Sequence, residues 1–268
     1  GVKKLRELIL DLAVRGLLVP QDPNDEPASV LLKKIVAEKE SLIKAGILKK
    51  QKALLLIDRS SLINLPPQWI PIRIGELFNS IRSGGTPSKS NTDYWNGEIP
   101  WASVKDLRGE VFISETQDYI TEAGLNAGSK LAEKGNVLIC TRMGLGKISI
   151  ATKKIAFNQD LKAVELNSHC NPMFFLLAYS TFKIVGSGVT VAGIKQDELV
   201  NYSIFLPPLT EQHRIVAKVD ELMALCDSLE QQQEDSIQAH ETLVEALLEA
   251  LTNAADANAF QAAWQRIS

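Results

Sequence analysis

The sequence has few of the residues that build disulfide frameworks, metal centres and many catalytic sites. It contains three cysteines, Cys140, Cys170 and Cys226, without a Cys-x-x-Cys pair, and only three histidines. This number and spacing argue against a disulfide framework and against a zinc site, and they favour buried free thiols. Two of the histidines fall in a long helical run near the C-terminus, so a Ser-His-Asp site is not indicated.

Long apolar runs are missing as well. No stretch approaches the roughly 20 apolar residues that a membrane-spanning helix needs. The first residues, Gly1 to Lys4, lead into an amphipathic segment and not into the uniformly apolar core of a signal peptide. These absences predict a cytoplasmic protein.

A basic excess, which nucleic-acid-binding proteins usually carry, is also absent. The formal net charge is −3 at pH 7; residues 208–268 hold 3 Lys and Arg against 11 Asp and Glu, whereas residues 67–207 hold 14 against 13. A near-neutral central segment would gain little from counterion release, so this polypeptide alone should hold DNA weakly. A partner would have to supply most of the contacts to phosphates.

Glycine and proline do not occur after Pro208. Pro207 and Pro208 should end a preceding strand, because proline has no backbone N–H to donate. Thr210 is expected to cap a helix that carries Glu211 in its first turn, where a carboxylate suits the helix dipole. This helix is predicted to continue to about Asn253, a length of roughly 65 Å at 1.5 Å per residue.

Apolar residues of this helix alternate in steps of four and three, the spacing of a coiled-coil seam. The seam residues, which we predict to contact a partner or a second copy, are Ile215, Val219, Leu222, Cys226, Leu229, Leu243, Leu247 and Leu251. Gln233, Ser236 and His240 interrupt the seam. They are either polar layers that fix register or a section exposed to solvent.

The segment between Trp69 and Leu206 has short β-like runs separated by Gly, Asn, Asp and Ser turns. Runs with strand character include 70–74, 111–113, 137–140, 148–151, 163–166 and 202–205, and helical patches occur at 121–126, 172–182 and 196–200. Upstream, helical spacing predicts one helix from Val2 to Ala13 and a second that Ser29 caps. The stretch 49–67 is predicted to be a linker. Alternatively, its apolar run 53–57 forms a short strand or a docking patch.

Several motifs, taken in order, resemble one protein family. They are Ser-Gly-Gly-Thr-Pro-Ser at 83–88, Ile-Pro-Trp at 99–101, Asn-Gln at 158–159, Gly-Ile-Lys at 193–195 and Pro-Pro-Leu-x-Glu-Gln-x-Arg-Ile-Val at 207–216. This series is similar to one half of the specificity (S) subunit of type I restriction-modification enzymes. Residues 5–23 resemble the family's segment before a recognition domain, so the resemblance covers nearly the whole chain.

The resemblance implies an α+β fold in which a mixed α/β target-recognition domain is flanked by N-terminal helices and a long C-terminal coiled-coil helix. The predicted ranges are 1–66 for the N-terminal helices and linker, 67–207 for the target-recognition domain, 208–253 for the long helix and 254–268 for a short helical tail. Full-length members of the family repeat this unit. The chain is therefore expected to be a half-length subunit or the N-terminal half of a longer one, and to associate with a second copy through the helices.

The resemblance also implies partners. A non-catalytic specificity subunit would bind double-stranded DNA, dock the modification (methyltransferase) subunits and reach the restriction subunits indirectly. S-adenosylmethionine, ATP and Mg would be held by those partners, and no cofactor or metal by this chain. Two alternatives remain open, a coiled-coil scaffold without DNA readout and a stand-alone adenine methyltransferase.

Candidate DNA contacts come from polar and basic residues of the 67–207 segment. Arg and Lys suit guanine, Asn suits adenine, and Ser or Thr suit either. The candidates are Arg82, Ser83, Thr86, Ser88, Lys89, Asn91, Tyr94, Lys105, Arg108, Arg142, Lys147, Lys153, Lys154 and Lys195. The loop that runs from Arg82 to Trp95 has a Gly-Gly-x-Pro turn whose backbone can press close to a base pair. Alternatively it is a polar surface turn whose aromatic residues anchor it to the core.

Two motifs that suggest catalysis are incomplete. Asn-Pro-Met-Phe at 171–174 resembles the Asn-Pro-Pro-Phe motif of adenine methyltransferases, but the second proline and a glycine-rich cofactor loop are missing. We expect it to begin a core helix. Gly-Leu-Gly-Lys at 144–147 has the tail of a phosphate loop without the earlier glycine or the following Ser or Thr.

Overall fold

The computed structural model describes residues 1–57, 65–186, 193–252 and 257–265, which leaves residues 58–64 of the predicted linker outside the description. The helices are α1 Val2–Val14, α2 Ala28–Lys44, α3 Glu122–Gly128, α4 Pro172–Ser180, α5 Gln196–Leu199, α6 Leu209–Thr252 and α7 Ala257–Gln265. The strands are β1 Ile70–Arg73, β2 Phe78–Ser83, β3 Trp95–Ala102, β4 Phe112–Ile113, β5 Asp118–Ile120, β6 Lys130–Ala132, β7 Val137–Cys140, β8 Ile148–Ala151, β9 Ile155–Phe157, β10 Leu161–Leu166 and β11 Ser203–Leu206. The predicted α+β class with a long C-terminal helix is confirmed.

Residues 10–218 form the larger of two compact units. Its strands build a five-stranded sheet in the order β2-β10-β7-β8-β4, a four-stranded sheet in the order β5-β3-β9-β6, and a two-stranded β1-β11 ribbon. The pairs β3·β9 and β4·β8 are parallel and the other pairs are antiparallel.

One apolar core joins the two larger sheets. Leu138 and Ala163 come from the first sheet and Ala102 and Phe157 from the second, and all four are fully buried in one cluster. This burial supplies the main driving force for the domain, because buried apolar area is worth roughly 25 cal/mol per Å².

The three cysteines are free and buried, as the composition predicted, and burial raises the pKa of Cys170 to about 12.

The starts of two helices differ from the sequence prediction. Pro27, not Ser29, is the N-cap of α2, and the N–H of the buried Ala28 donates to the carbonyl of Gln68 at 2.9 Å. The helix α6 begins at Leu209, because the Gln212 N–H already donates to the Pro208 carbonyl at 2.9 Å. Thr210 is thus inside the helix and does not cap it. A rigid proline followed by a tertiary contact fixes each start in place of a side-chain cap.

The first turn of α6 is fixed to the rest of the larger unit by buried polar contacts. Glu211 is fully buried, and its carboxylate accepts hydrogen bonds from Trp69 Nε1 at 2.9 Å and from Gln21 Nε2 at 2.6 Å. Arg214 donates to Asp25 at 2.6 Å. Burial raises the pKa of Glu211, whereas the hydrogen bond from Arg214 lowers that of Asp25.

The smaller unit contains residues 1–9 and 219–268. In it Arg6 of α1 contacts both Asp227 and Glu230 of α6, at 2.6 and 2.7 Å. No helix in the described part of the chain combines the length and the apolarity that crossing a membrane requires.

The predicted seam residues differ in exposure. Ile215, Val219 and Cys226 are buried, Leu222 and Leu247 are half-buried, and Leu229 and Leu243 are exposed. Leu251 belongs to α6, but its side chain lies outside the described residues. Association through these residues stays a prediction, and so do the four predicted segment ranges.

The ionised Asp25 carboxylate stabilises the folded protein, and this contribution disappears when the carboxylate is protonated in acid. Asp25→Asn is expected to lack the contribution at every pH. The folded-state pKa of Asp25 lies below its unfolded value, so its contribution is complete above the unfolded pKa and disappears as pH falls through the folded pKa. Urea unfolding from pH 7 downward should show a steeper loss of stability in the wild type than in Asp25→Asn below about pH 4. The matched control is Asp220→Asn, which removes an exposed carboxylate of α6. If Asp220→Asn reduced the pH dependence of the unfolding free energy as much as Asp25→Asn, the effect would be due to net charge and not to the contact with Arg214.

Candidate nucleic-acid interface

The loop between β2 and β3 is held by tryptophan side chains. Trp95 Nε1 donates to the Ser88 carbonyl at 3.1 Å and Trp101 Nε1 to the Gly85 carbonyl at 3.2 Å, while the two rings meet edge to face at 5.2 Å. Asn91 caps the turn 92–94 by accepting from the Asp93 N–H at 3.0 Å. These contacts support the interpretation in which the aromatic residues anchor the loop.

The glycines of this loop approach the domain's own backbone. A Cβ added to Gly84 would lie 2.2 Å from the Asn158 carbonyl oxygen, and one added to Gly85 would lie 1.8 Å from that of Gly128. The close approach expected toward a base pair is therefore made inside the protein. Side chains of the loop, and not its glycine backbone, remain as candidates for DNA contact.

The first two candidates of the loop already have partners. Arg82 is half-buried and donates from Nη2 to Asn136 Oδ1 at 2.6 Å, while its buried Nε has no partner among the described residues. Arg82 lines a cleft together with Glu133 and Glu165. Ser83 accepts a hydrogen bond from Lys162. Both side chains are thus part of a network between β2 and its surroundings.

The loop 141–147, which we call the Arg142 loop, carries the candidates Arg142 and Lys147 and is linked to two further segments that carry candidates. Arg142 lies 3.5 Å from the Asp160 carboxylate and pairs by a β-bridge with Gly193, which precedes Lys195 by two residues. Thr86 donates to Gln159, the neighbour of Asp160. Arg142 is thus linked through Asp160 and Gly193 to the two segments that carry Thr86 and Lys195.

Other basic candidates already have partners within the domain. Lys105 pairs with Asp118 at 2.8 Å, Lys153 with Glu115 at 2.6 Å and Lys154 with Glu133 at 3.4 Å. Lys147 donates to the Val104 carbonyl at 3.4 Å.

Among the residues that the structure describes, three basic candidates have no partner. In the described ranges, the side chains of Lys89, Arg108 and Lys195 form no ion pair or hydrogen bond and are exposed. Ser88 and Ser90 share a hydrogen bond of 2.8 Å, and Tyr94 is half-buried.

The motif at 171–174 is the start of α4. Asn171 Oδ1 accepts from the Met173 N–H at 2.9 Å, its Nδ2 lies 2.9 Å from His213 Nδ1, and its N–H donates to Gln212 Oε1 at 2.9 Å. Asn171 is 8% exposed. The motif begins a helix, as the sequence predicted, and its asparagine is accounted for by capping α4 and by contacts with the first turn of α6 that the sequence did not indicate.

Sequence reasoning did not single out Met143 or Asp160. Met143 has a positive φ of 60° and is 68% exposed at the tip of the Arg142 loop. Neither residue carries a local signal, since a lone methionine is usually part of a core and the Asp160–Arg142 contact joins different strand connections. Within the described ranges, no group of three or more His, Cys, Asp or Glu side chains is placed to hold a metal ion.

Fold and surface together define a class of protein: an α+β domain with rigid polar loops, joined directly to the first turns of a long helix. The family model described as type I restriction modification DNA specificity domain matches residues 66–239. The chain belongs to this family.

Two relatives from Escherichia coli match along the whole chain. The type I restriction enzyme EcoEI specificity subunit is 34% identical over 302 residues, covering 100% of this chain and 47% of that protein. The EcoAI specificity subunit is 36% identical over 288 residues with the same coverage. The chain thus spans about half the length of the curated relatives that it matches.

Solved structures share the fold. A chain from a structure of complex assembly and conformational transition of the type I R-M system aligns with a TM-score of 0.56 at 23% identity, covering 91% of this chain and 55% of that chain.

Replacement of Gly85 by Ala is expected to lower the free energy of unfolding by about 3 kcal/mol, because the new Cβ meets backbone that cannot move aside. The control is Gly109→Ala, where φ is +98° and nothing lies within 4 Å, so that only about 1 kcal/mol of backbone strain is added. Urea denaturation measures both. Equal effects would contradict the tight packing of Gly85 against Gly128.

Proposed function

We propose that this chain is the DNA sequence-specificity subunit, or its N-terminal half, of a type I restriction-modification system. It reads one half of a bipartite target in the major groove and docks the modification subunits, which connect it to the restriction subunits. The observation that carries the proposal is the family match across 66–239, which covers the globular domain and more than half of the long helix.

The surface of the domain supports recognition of DNA with a partner's help. Arg142 is linked through Asp160 and Gly193 to the segments that carry Thr86 and Lys195, and donors of these types suit base edges. Ion pairs at Lys105, Lys153 and Lys154 leave few free cations for phosphates. We infer that the modification subunits supply most of the phosphate contacts.

We further propose that the chain acts in the cytoplasm and has no catalysis of its own. The relatives that match along its whole length are named specificity subunits. S-adenosylmethionine, ATP and Mg are assigned to the partner subunits, which carry the methyl transfer and the cleavage. The side chain and backbone N–H of Asn171 are engaged in α4 and α6, which disfavours a role in gripping a target base.

Arg142 is expected to discriminate bases when the chain is assembled with its modification subunits. Arg142→Ala should cost about 1 to 3 kcal/mol of discrimination at one position of the site, and Arg142→Lys should lose part of that discrimination, because an ammonium lacks the planar guanidinium fork that matches guanine O6 and N7. Methylome sequencing of cells that express each complex measures the relaxed position. Retention of wild-type specificity by Arg142→Lys would reassign this residue to a phosphate contact, and retention by both variants would remove it from the interface.

Lys89 is expected to contact a phosphate, whereas Lys153 is not. Lys89→Gln should make the slope of log affinity against log salt concentration less negative by about 0.9, the value for one phosphate contact in duplex DNA. Lys153→Gln is the matched control, because its charge is already balanced by Glu115 at 2.6 Å. Fluorescence anisotropy of the assembled complex on its target, measured over a salt series, gives both slopes. Equal slopes for the two variants would contradict this assignment.

A further inference from the structure

We propose that Met143 contacts the 5-methyl group of a thymine in the major groove, next to a base contact made by Arg142. The proposal rests on the function proposed above and names a chemistry for one position of the half-site. A thymine methyl is the apolar feature that the major groove offers, and apolar side chains recognise it.

The position of Met143 is unusual for an apolar residue. The residue is 68% exposed, and its φ of 60° lies in the left-handed region, which a methionine rarely adopts. Asparagine or glycine would take the same conformation with less strain. Backbone strain of this kind is found at sites that bind ligands, where the surrounding structure holds it in place.

The frame beneath Met143 is rigid. The Cys140 N–H donates to the Lys147 carbonyl at 2.9 Å and the Lys147 N–H to the Gly144 carbonyl at 3.1 Å, so the Arg142 loop is closed by backbone hydrogen bonds. The Cys140 thiol donates to the Arg142 carbonyl at 2.8 Å. A Cβ at Gly144 would lie 2.5 Å from Val104, so the residue after Met143 is packed against the domain. Met143 is therefore presented by a preorganised loop, which reduces the entropic cost of binding.

The neighbour of Met143 is oriented as well. Asp160, whose side chain is only 10% exposed, lies 3.5 Å from Arg142 Nη1. A guanidinium has five N–H donors, so this one contact leaves others for a base. An arginine suited to guanine and a methionine suited to thymine then stand on consecutive residues, which fits the recognition of neighbouring base pairs.

The test measures binding of the complex, made of this chain and its modification subunits, to DNA duplexes. The duplexes carry the target sequence that methylome sequencing identifies. Each thymine of the half-site is replaced in turn by deoxyuridine, which lacks only the 5-methyl group. We expect one replacement to weaken wild-type binding about fourfold, the factor for one buried methyl-sized group. Met143→Asn, which tolerates positive φ, should bind the thymine duplex about fourfold more weakly and should be indifferent to that replacement.

The matched control is Leu56→Ala, which shortens an aliphatic side chain at a residue that is 95% exposed and far from the Arg142 loop in the sequence. It should keep the wild-type sensitivity to deoxyuridine. Three results would overturn the proposal: a half-site made of G·C pairs alone, no sensitive thymine in the wild type, or a Met143→Asn complex that retains the wild-type penalty. Failure of the proposed function has a different signature, since the wild-type complex would then show no sequence-dependent binding at all.

Discussion

The buried carboxylate of Glu211 is the contact on which the arrangement of the larger unit depends. It accepts one hydrogen bond from Trp69 and one from Gln21, so a single side chain joins α6 to two segments that lie far apart in the sequence. A buried carboxylate is costly unless such donors are present, and burial does raise its pKa. Gln212 binds Asn171 and Arg214 binds Asp25 in the same turn, so that three nearly adjacent residues fix the start of the helix.

The motifs that carry the family resemblance are therefore largely structural. Glu211, Gln212 and Arg214 position the helix, and Gly84 and Gly85 allow two segments of backbone to meet. Trp95 and Trp101 bind carbonyls of the loop that precedes them. Residues with these duties are constrained by packing whatever target is read. A recognisable family pattern can for this reason coexist with loop tips, such as Met143, that carry no pattern at all.

Local periodicity was sufficient for part of the fold. The strands β7 and β8 agree with the predicted runs 137–140 and 148–151, and the described helix α6, Leu209–Thr252, falls within the predicted range 208–253. The predicted capping residues, Ser29 and Thr210, were wrong, because Pro27 and Pro208 fix the helix starts together with tertiary contacts. The pairing of Lys153 with Glu115 and of Arg142 with Asp160 joins residues from separate strand connections, and nothing in the local sequence indicates it.

The same ion pairs affect how much of the proposed DNA-binding energy comes from contacts to phosphates and how much from contacts to base edges. An exposed pair such as Lys153 and Glu115 contributes little to stability, so the lysine can exchange its partner at small cost. The glutamate would then face the phosphates without compensation, and the net gain in affinity would be small. A domain built in this way gains little from the charge of DNA, which is common to all sequences. Contacts to base edges from a rigid loop would then make up a larger share of its binding energy, and that share is the one that distinguishes a target from other DNA.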